Sequence, residues 1–311
     1  VESCRSLFEW FRARIQILPP LQAAAPRAAG DRHTSLALQG LRTPMKLSPA
    51  SRKVGVRRLA ALAASTLLAI APAIQAGSPA EPAQSAATGT IKGRLVWAAG
   101  PIPVQKVEAA AAKDAFCKAK PIVNKDIVVD PETKGVANAY AYLVKPSGDY
   151  SATEKALIAK TPAVVVDQVG CEYVPYSTVV HKDQKLTFKS TDPVGHNVDF
   201  KPFDNPKINP MLPPNGKVDY KIQKAEKRPT VAVCSIHPWM KGYVLIVDHP
   251  FAVVTNPDGS FEIPGVPAGE QHLILWQSTR GYVTEGGNKG MTVVVKSGET
   301  TDVGEIKMMK K

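Results

Sequence analysis

"TVAVCSIHPWMKGYVLIV", residues 230–247, sets two apolar, β-branched runs on either side of a short loop. The run before it, "TVAV", and the run after it, "GYVLIV", are built from residue types that favour strands. Between them Cys234, His237 and Met240 follow at intervals of three, so a thiolate, an imidazole and a thioether meet at one end of a sheet. A chain of this composition would produce such a spacing by chance about 0.0015 times. The pattern asks for a chemical reason.

Two histidines, one cysteine and a distant axial methionine make the soft, near-trigonal arrangement suited to copper in electron transfer. The loop lacks one histidine. "DPVGHNVDF", residues 192–200, places His196 at a strand end upstream, with enough chain between for a strand to return beside Cys234. His196, Cys234, His237 and Met240 are therefore the candidate ligands of one type 1 copper ion. Cu(I) prefers soft ligands and Cu(II) nitrogen in a flatter site, so a compromise held by packed strands changes little between the two states. Pro238 stiffens the loop, and Trp239 either packs beneath it or faces a partner. The other histidines, His181 in the polar turn "VHKDQK", His249 before Pro250 and His272 within an alternating strand, are expected to be structural, with His181 solvated.

Working outward, residues 162–248 read as short strands separated by "KDQ", "DPVG", "PPNG" and "AEKRP", all turn compositions. Many short strands with almost no helical period predict an all-β sandwich or barrel. Upstream, "TIKGRLVW" and "VANAYAYLV" read as strands, and a short helix is expected around residues 109–117. Downstream, "FAVVTNPDGSFEI" holds a Pro-Asp-Gly turn at 257–259, and a last hairpin is expected around Ser297 and Gly298. This tail is small for a core of its own.

"HNV" at 196–198 followed by "CSIHPWMKGYVLIV" resembles the cupredoxins, the type 1 blue copper family, at its short-loop, amicyanin-like end. The resemblance implies a Greek-key β-sandwich over about residues 163–248, with His196, Cys234 and His237 equatorial and Met240 axial. It also implies that Asn197 ties the two ligand loops together near Ser235 and the thiolate. "FAVVTNPDGSFEIPGVPAGEQHLILW" resembles the carboxypeptidase regulatory-like module, a smaller transthyretin- or Ig-like β-sandwich, and "GTIKGRLVW" its first strand. Either the cupredoxin is inserted into that second sandwich, or two domains follow one another; pairing near Lys92 distinguishes the two.

The net charge of +12 would suit an acidic partner, but its location matters. Eleven basic and three acidic side chains fall within residues 1–76, leaving 28 basic against 24 acidic beyond, a net of +4. A nucleic-acid surface is not expected. "KLSPASRKVGVRR", residues 46–58, leads into an apolar run from Leu59 to Ile74 that ends in small residues at Ala76, the pattern of a secretory signal peptide. That run is shorter than the roughly 20 residues a membrane span needs, so no integral segment is expected in the mature chain. The expected division is an upstream extension at 1–44, a signal peptide at 45–76, a leader and N-terminal β segment at 77–161, the copper domain at 162–248 and the second sandwich at 249–311.

Export to a periplasm-like compartment lets cysteines pair. Beyond residue 76 there are three, and with Cys234 taken as a ligand, Cys117 and Cys171 are expected to form a disulfide. A copper oxidase or a copper nitrite reductase would need a second, histidine-rich copper centre where substrate binds, and beyond residue 76 there are five histidines, two of them taken by the proposed site. HExxH, HxxE and GxSxG are absent from the sequence. The expectation is a non-enzymatic electron carrier serving a redox protein such as a cytochrome c or a periplasmic dehydrogenase. Copper storage or delivery, or a cell-envelope scaffold, are the alternatives.

Overall fold

The computed structural model describes residues 87–309. The expected upstream extension, the signal peptide and most of the leader lie outside the described residues. Two β units account for nearly all the rest.

The first draws its strands from both ends of the described chain. One of its sheets centres on Thr88–Trp97, antiparallel to Ser260–Pro267 and parallel to Thr300–Met308. Lys92 lies opposite Glu262 on one side and Asp302 on the other, which is the pairing an inserted arrangement requires. The other sheet sets Tyr140–Leu143 between Ala252–Val254 and Gly269–Gln277, and the latter also pairs with Gly281–Tyr282 and Met291–Val295. Ile91, Leu95, Phe251, Phe261, Leu273 and Leu275 fill the space between the sheets.

The second unit is formed by the chain between. Ser177–His181, Lys241–Val247, Thr230–Val233 and Asp199–Phe200 make one sheet, and Tyr173–Val174, Ala163–Gln168, Lys185–Ser190 and Lys217–Tyr220 make the other. Val166, Val180, Phe188, Phe200, Val244 and Ile246 are buried between them. Where the two units meet, strands are covered on both faces, which is why "AYAYLV" and "GYVLIV" read as unbroken apolar runs. Val244 and Ile246 point into their own core while Leu245 and Val247 turn outward, and Ala141 and Leu143 likewise alternate with Tyr140 and Tyr142. The outward sets pack together with Ile274 and Trp276, and the Tyr140 hydroxyl donates to the Tyr243 carbonyl at 2.8 Å.

Two expectations are corrected. The turn at Ser297 and Gly298 closes no hairpin, because the strand before it pairs with Gly269–Gln277 and the strand after it with Thr88–Trp97. It is an arch from one sheet to the other, as is the turn at 257–259: turn residues fix a reversal, not a partner. At that second arch Gly259 is required, since its φ is +79° and a Cβ would sit 2.2 Å from the Leu95 carbonyl oxygen. The helix expected at 109–117 is instead two 3-10 turns, Ala111–Lys113 and Cys117–Ala119. Asp114 Oδ1 takes the Phe116 and Cys117 N–H groups, both at 2.8 Å, and so breaks the run. An α-helix does form at Ser151–Lys160, but it buries no residue, so no apolar period announces it.

Candidate metal centre

The register of the two strands around the ligand loop pairs Val233 with Lys241, leaving residues 234–240 to cross the end of the sheet. Two backbone bonds fold that crossing tightly. The Cys234 N–H donates to the Met240 carbonyl at 3.1 Å and the Met240 N–H to the His237 carbonyl at 2.8 Å. His196 arrives on the short strand His196–Asn197, held by Met211–Leu212. From there the Asn197 N–H donates to Cys234 Sγ at 3.5 Å, and its side chain accepts the Ser235 N–H at 2.7 Å. The Tyr173 hydroxyl lies between the Asn197 and Val233 carbonyls, at 3.3 and 3.2 Å, and further links the two loops.

The donor atoms converge. His196 Nδ1 and His237 Nδ1 stand 2.8 Å apart, and Cys234 Sγ lies 3.9 and 3.7 Å from them. With bonds of about 2.0 Å to nitrogen and 2.3 Å to sulfur, a trigonal metal would hold nitrogen and sulfur about 3.7 Å apart. The nitrogen–sulfur spacings fit such an ion, while the two nitrogens would need to part slightly. His196, Cys234 and Met240 are at most 1% exposed and His237 6%. Met240 belongs to the buried cluster that includes Cys234.

The outer nitrogens explain why the inner ones are free. His196 Nε2 lies 2.9 Å from Asp192 Oδ2, and His237 Nε2 lies 3.5 Å from Asp114 Oδ2. A carboxylate at Nε2 keeps the proton there, so Nδ1 offers its lone pair inward, the arrangement that orients metal-binding imidazoles. Burial holds His196 below its ordinary pKa, against the opposing pull of Asp192. Asp114 is held below the usual carboxylate range by the Cys117 and Phe116 N–H groups and, to a smaller extent, by His237. Sequence reasoning missed both carboxylates. Asp192 was within reach, four residues before His196 in the same turn; Asp114 comes from a distant segment with no spacing to betray it.

Cys117 and Cys171 form a disulfide. Trp239 packs against His237 with ring centroids 5.2 Å apart and is partly buried, while Ser235, Ile236 and Pro238 face outward. His181 corrects its expectation: it is buried, the last residue of its strand, with Nε2 2.9 Å from Glu154 Oε1 in a contact too poorly aligned for a hydrogen bond. Its neighbours Lys182 and Asp183 carry the polarity of that turn to solvent.

No protein-family model matches the chain, and no curated protein matches it. Solved structures give partial similarity. A copper-containing nitrite reductase from Thermus scotoductus SA-01 is 22% identical over 27% of this chain and 22% of its own, with a TM-score of 0.25. Amicyanin from Paracoccus versutus is 22% identical over 27% of this chain and 80% of its own, TM-score 0.24. A purple cupredoxin from Nitrosopumilus maritimus is 19% identical over 27% and 97%, TM-score 0.23. The chain thus spans about a fifth of the reductase. Similarities at this level carry no functional assignment, which rests on the site's own atoms.

Proposed function

We propose that this chain is an exported mononuclear copper protein that carries single electrons for a redox partner such as a cytochrome c or a periplasmic dehydrogenase. One observation carries the reading: two imidazole Nδ1 atoms and a cysteine sulfur, all on buried residues, face one another, with both outer nitrogens facing carboxylates. Soft sulfur beside imidazole suits copper over harder cations. Copper bound there supplies a one-electron couple between Cu(II) and Cu(I). The chain's residues do the remainder. Asp192 and Asp114 hold the imidazoles in the ligating tautomer, the Asn197 N–H moderates the charge on Cys234, and the closed loop resists rearrangement. Burial keeps substrates from the donors, which favours a carrier over an enzyme.

The same reading treats residues 45–76 as an export signal cleaved near Ala76, and the outer sandwich as a carboxypeptidase regulatory-like binding or structural module. Addition of Cu(II) to the purified protein should produce an intense visible thiolate-to-copper band that saturates at one equivalent and bleaches reversibly with one electron. Cys234→Ser should abolish the band without altering the far-UV circular dichroism. A wild-type protein that gives no such band would refute the proposal.

A further inference from the structure

Between Trp97 and Val128 the chain leaves the outer sandwich and runs as a strap across the ligand end of the inner one. Ala111, Cys117 and Ile122 of this strap are buried in the same cluster as Cys234 and Met240. Ion pairs pin its far end, with Lys120 and Lys125 both 2.8 Å from Glu172 and Asp126 2.6 Å from Lys241. The disulfide joins the strap to the inner sandwich at Cys171.

Two matching paths run from that disulfide to the two imidazoles. On the strap, the Cys117 N–H donates to Asp114, and Asp114 meets the outer nitrogen of His237. On the sandwich, the Cys171 N–H donates to Asp192 at 2.8 Å, and Asp192 meets the outer nitrogen of His196. The sulfurs themselves are close: Cys117, Asp114 and His237 have donor atoms within 4.8 Å of one another, and so have Cys171, Asp192 and His196. Each half of the disulfide therefore carries the carboxylate that fixes one metal-binding histidine. Both cysteines are buried, so no reductant reaches them until the strap lifts, and lifting it withdraws Asp114 from His237.

We propose that Cys117–Cys171 is a thiol–disulfide exchange site coupled to the metal centre, so that opening it with a dithiol loosens the metal and a bound metal keeps it closed. A thiolate of the dithiol attacks one cysteine sulfur and the S–S bond breaks; the other cysteine leaves as a thiolate and takes a proton. The dithiol's second thiolate then displaces the first cysteine, leaving two cysteine thiols and the reductant as a cyclic disulfide. Linkage makes the coupling reciprocal: the factor by which opening weakens metal binding is the factor by which metal opposes opening.

The inference rests on the copper reading, and the test separates the two. The whole protein, metal-free or carrying one equivalent of Cu(I), is treated with a water-soluble phosphine, which attacks the S–S bond and takes oxygen from one water to become phosphine oxide while the two cysteines leave as thiols; a parallel sample kept without phosphine reports copper retention. Peptide mapping after alkylation follows the appearance of the Cys117 and Cys171 thiols. Opening should be slower in the loaded protein by at least about fivefold, within the usual range of such couplings. Asp114→Asn, which keeps the disulfide, should shrink that difference. In the reverse direction, Cys117→Ser/Cys171→Ser should hold Cu(I) at least about fivefold more weakly in equilibrium competition with a chelator. Equal opening rates in a protein that retains its copper through gel filtration would overturn the latch alone, and failure to retain copper would overturn both proposals. Should the double variant not fold, the wild-type rates still decide.

Discussion

Among the described residues two pairs of histidines are buried, and they differ in what their Nδ1 atoms meet. At the ligand end, His196 and His237 bind carboxylates through Nε2 and turn Nδ1 toward each other and Cys234. Near the junction of the two sandwiches, His181 and His249 have Nδ1 occupied by a backbone N–H two residues on, from Asp183 and Phe251, each at 3.2 Å. His181 even has carboxylates nearby, in Glu154 and Asp183. Burial and acidic neighbours are thus common to both regions. What separates them is whether the local backbone consumes the inward lone pair or leaves it for a metal.

The sharpest way to break this contrast is to remove one histidine from each pair. His196→Ala should eliminate the thiolate-to-copper band, whereas His181→Ala should leave the band's intensity and stoichiometry unchanged in whatever protein folds. Copper titration followed by absorbance checks both, and loss of the band in a folded His181→Ala protein would erase the distinction.

The junction pair should show itself through acid sensitivity. Burial pushes His249 down to about 4, with His181 adding to the depression and Asp248 opposing it. Because the unfolded chain protonates His249 near 6.5 while the folded chain stays neutral, its contribution is fully present above that value. It is lost as pH falls from about 6.5 toward 4, up to about 3 kcal/mol. Urea unfolding of the metal-free protein at both ends of that window should show the loss. His249→Asn, whose side chain can still accept the Phe251 N–H, should flatten the slope relative to wild type. Subtracting the variant removes the acid response of the carboxylates that both proteins share.

The same contrast shows what could be read from sequence. Cys234, His237 and Met240 were legible because three metal donors within seven residues seldom coincide by chance, and His196 because it stands at a strand end within reach. The disulfide followed from parity. Asp114 was not legible: its role depends on a strap folding back over a loop far along the chain, and no local period encodes that. Nor was the inward face of His181, since Lys182 and Asp183 beside it make the turn look solvated. The strands were visible in their composition, but the sheet to which each belongs is a long-range property. The arches at 257–259 and at Ser297–Gly298 look like hairpin turns until the partner strands are in place.

The smallest and most discriminating test pairs the same kind of change at each region, Asp192→Asn against Glu154→Gln. Asp192 receives three donors on two oxygens: the Gly170 and Cys171 N–H groups and His196 Nε2. An asparagine has one acceptor oxygen, so its amide must confront at least one of those donors. His196 then either loses its anchor or moves its proton to Nδ1, where it blocks the metal. Copper affinity should fall about 10- to 100-fold, as for other partners that orient ligating histidines. Glu154 is partly solvated and poorly aligned with His181, so its neutralisation should cost less than about 1 kcal/mol of stability and leave copper affinity unchanged. Competition against a copper chelator measures both variants on one scale. Equal losses would mean that the carboxylate tunes the molecule through its overall charge, and that the free inward Nδ1 on which the contrast rests is incidental.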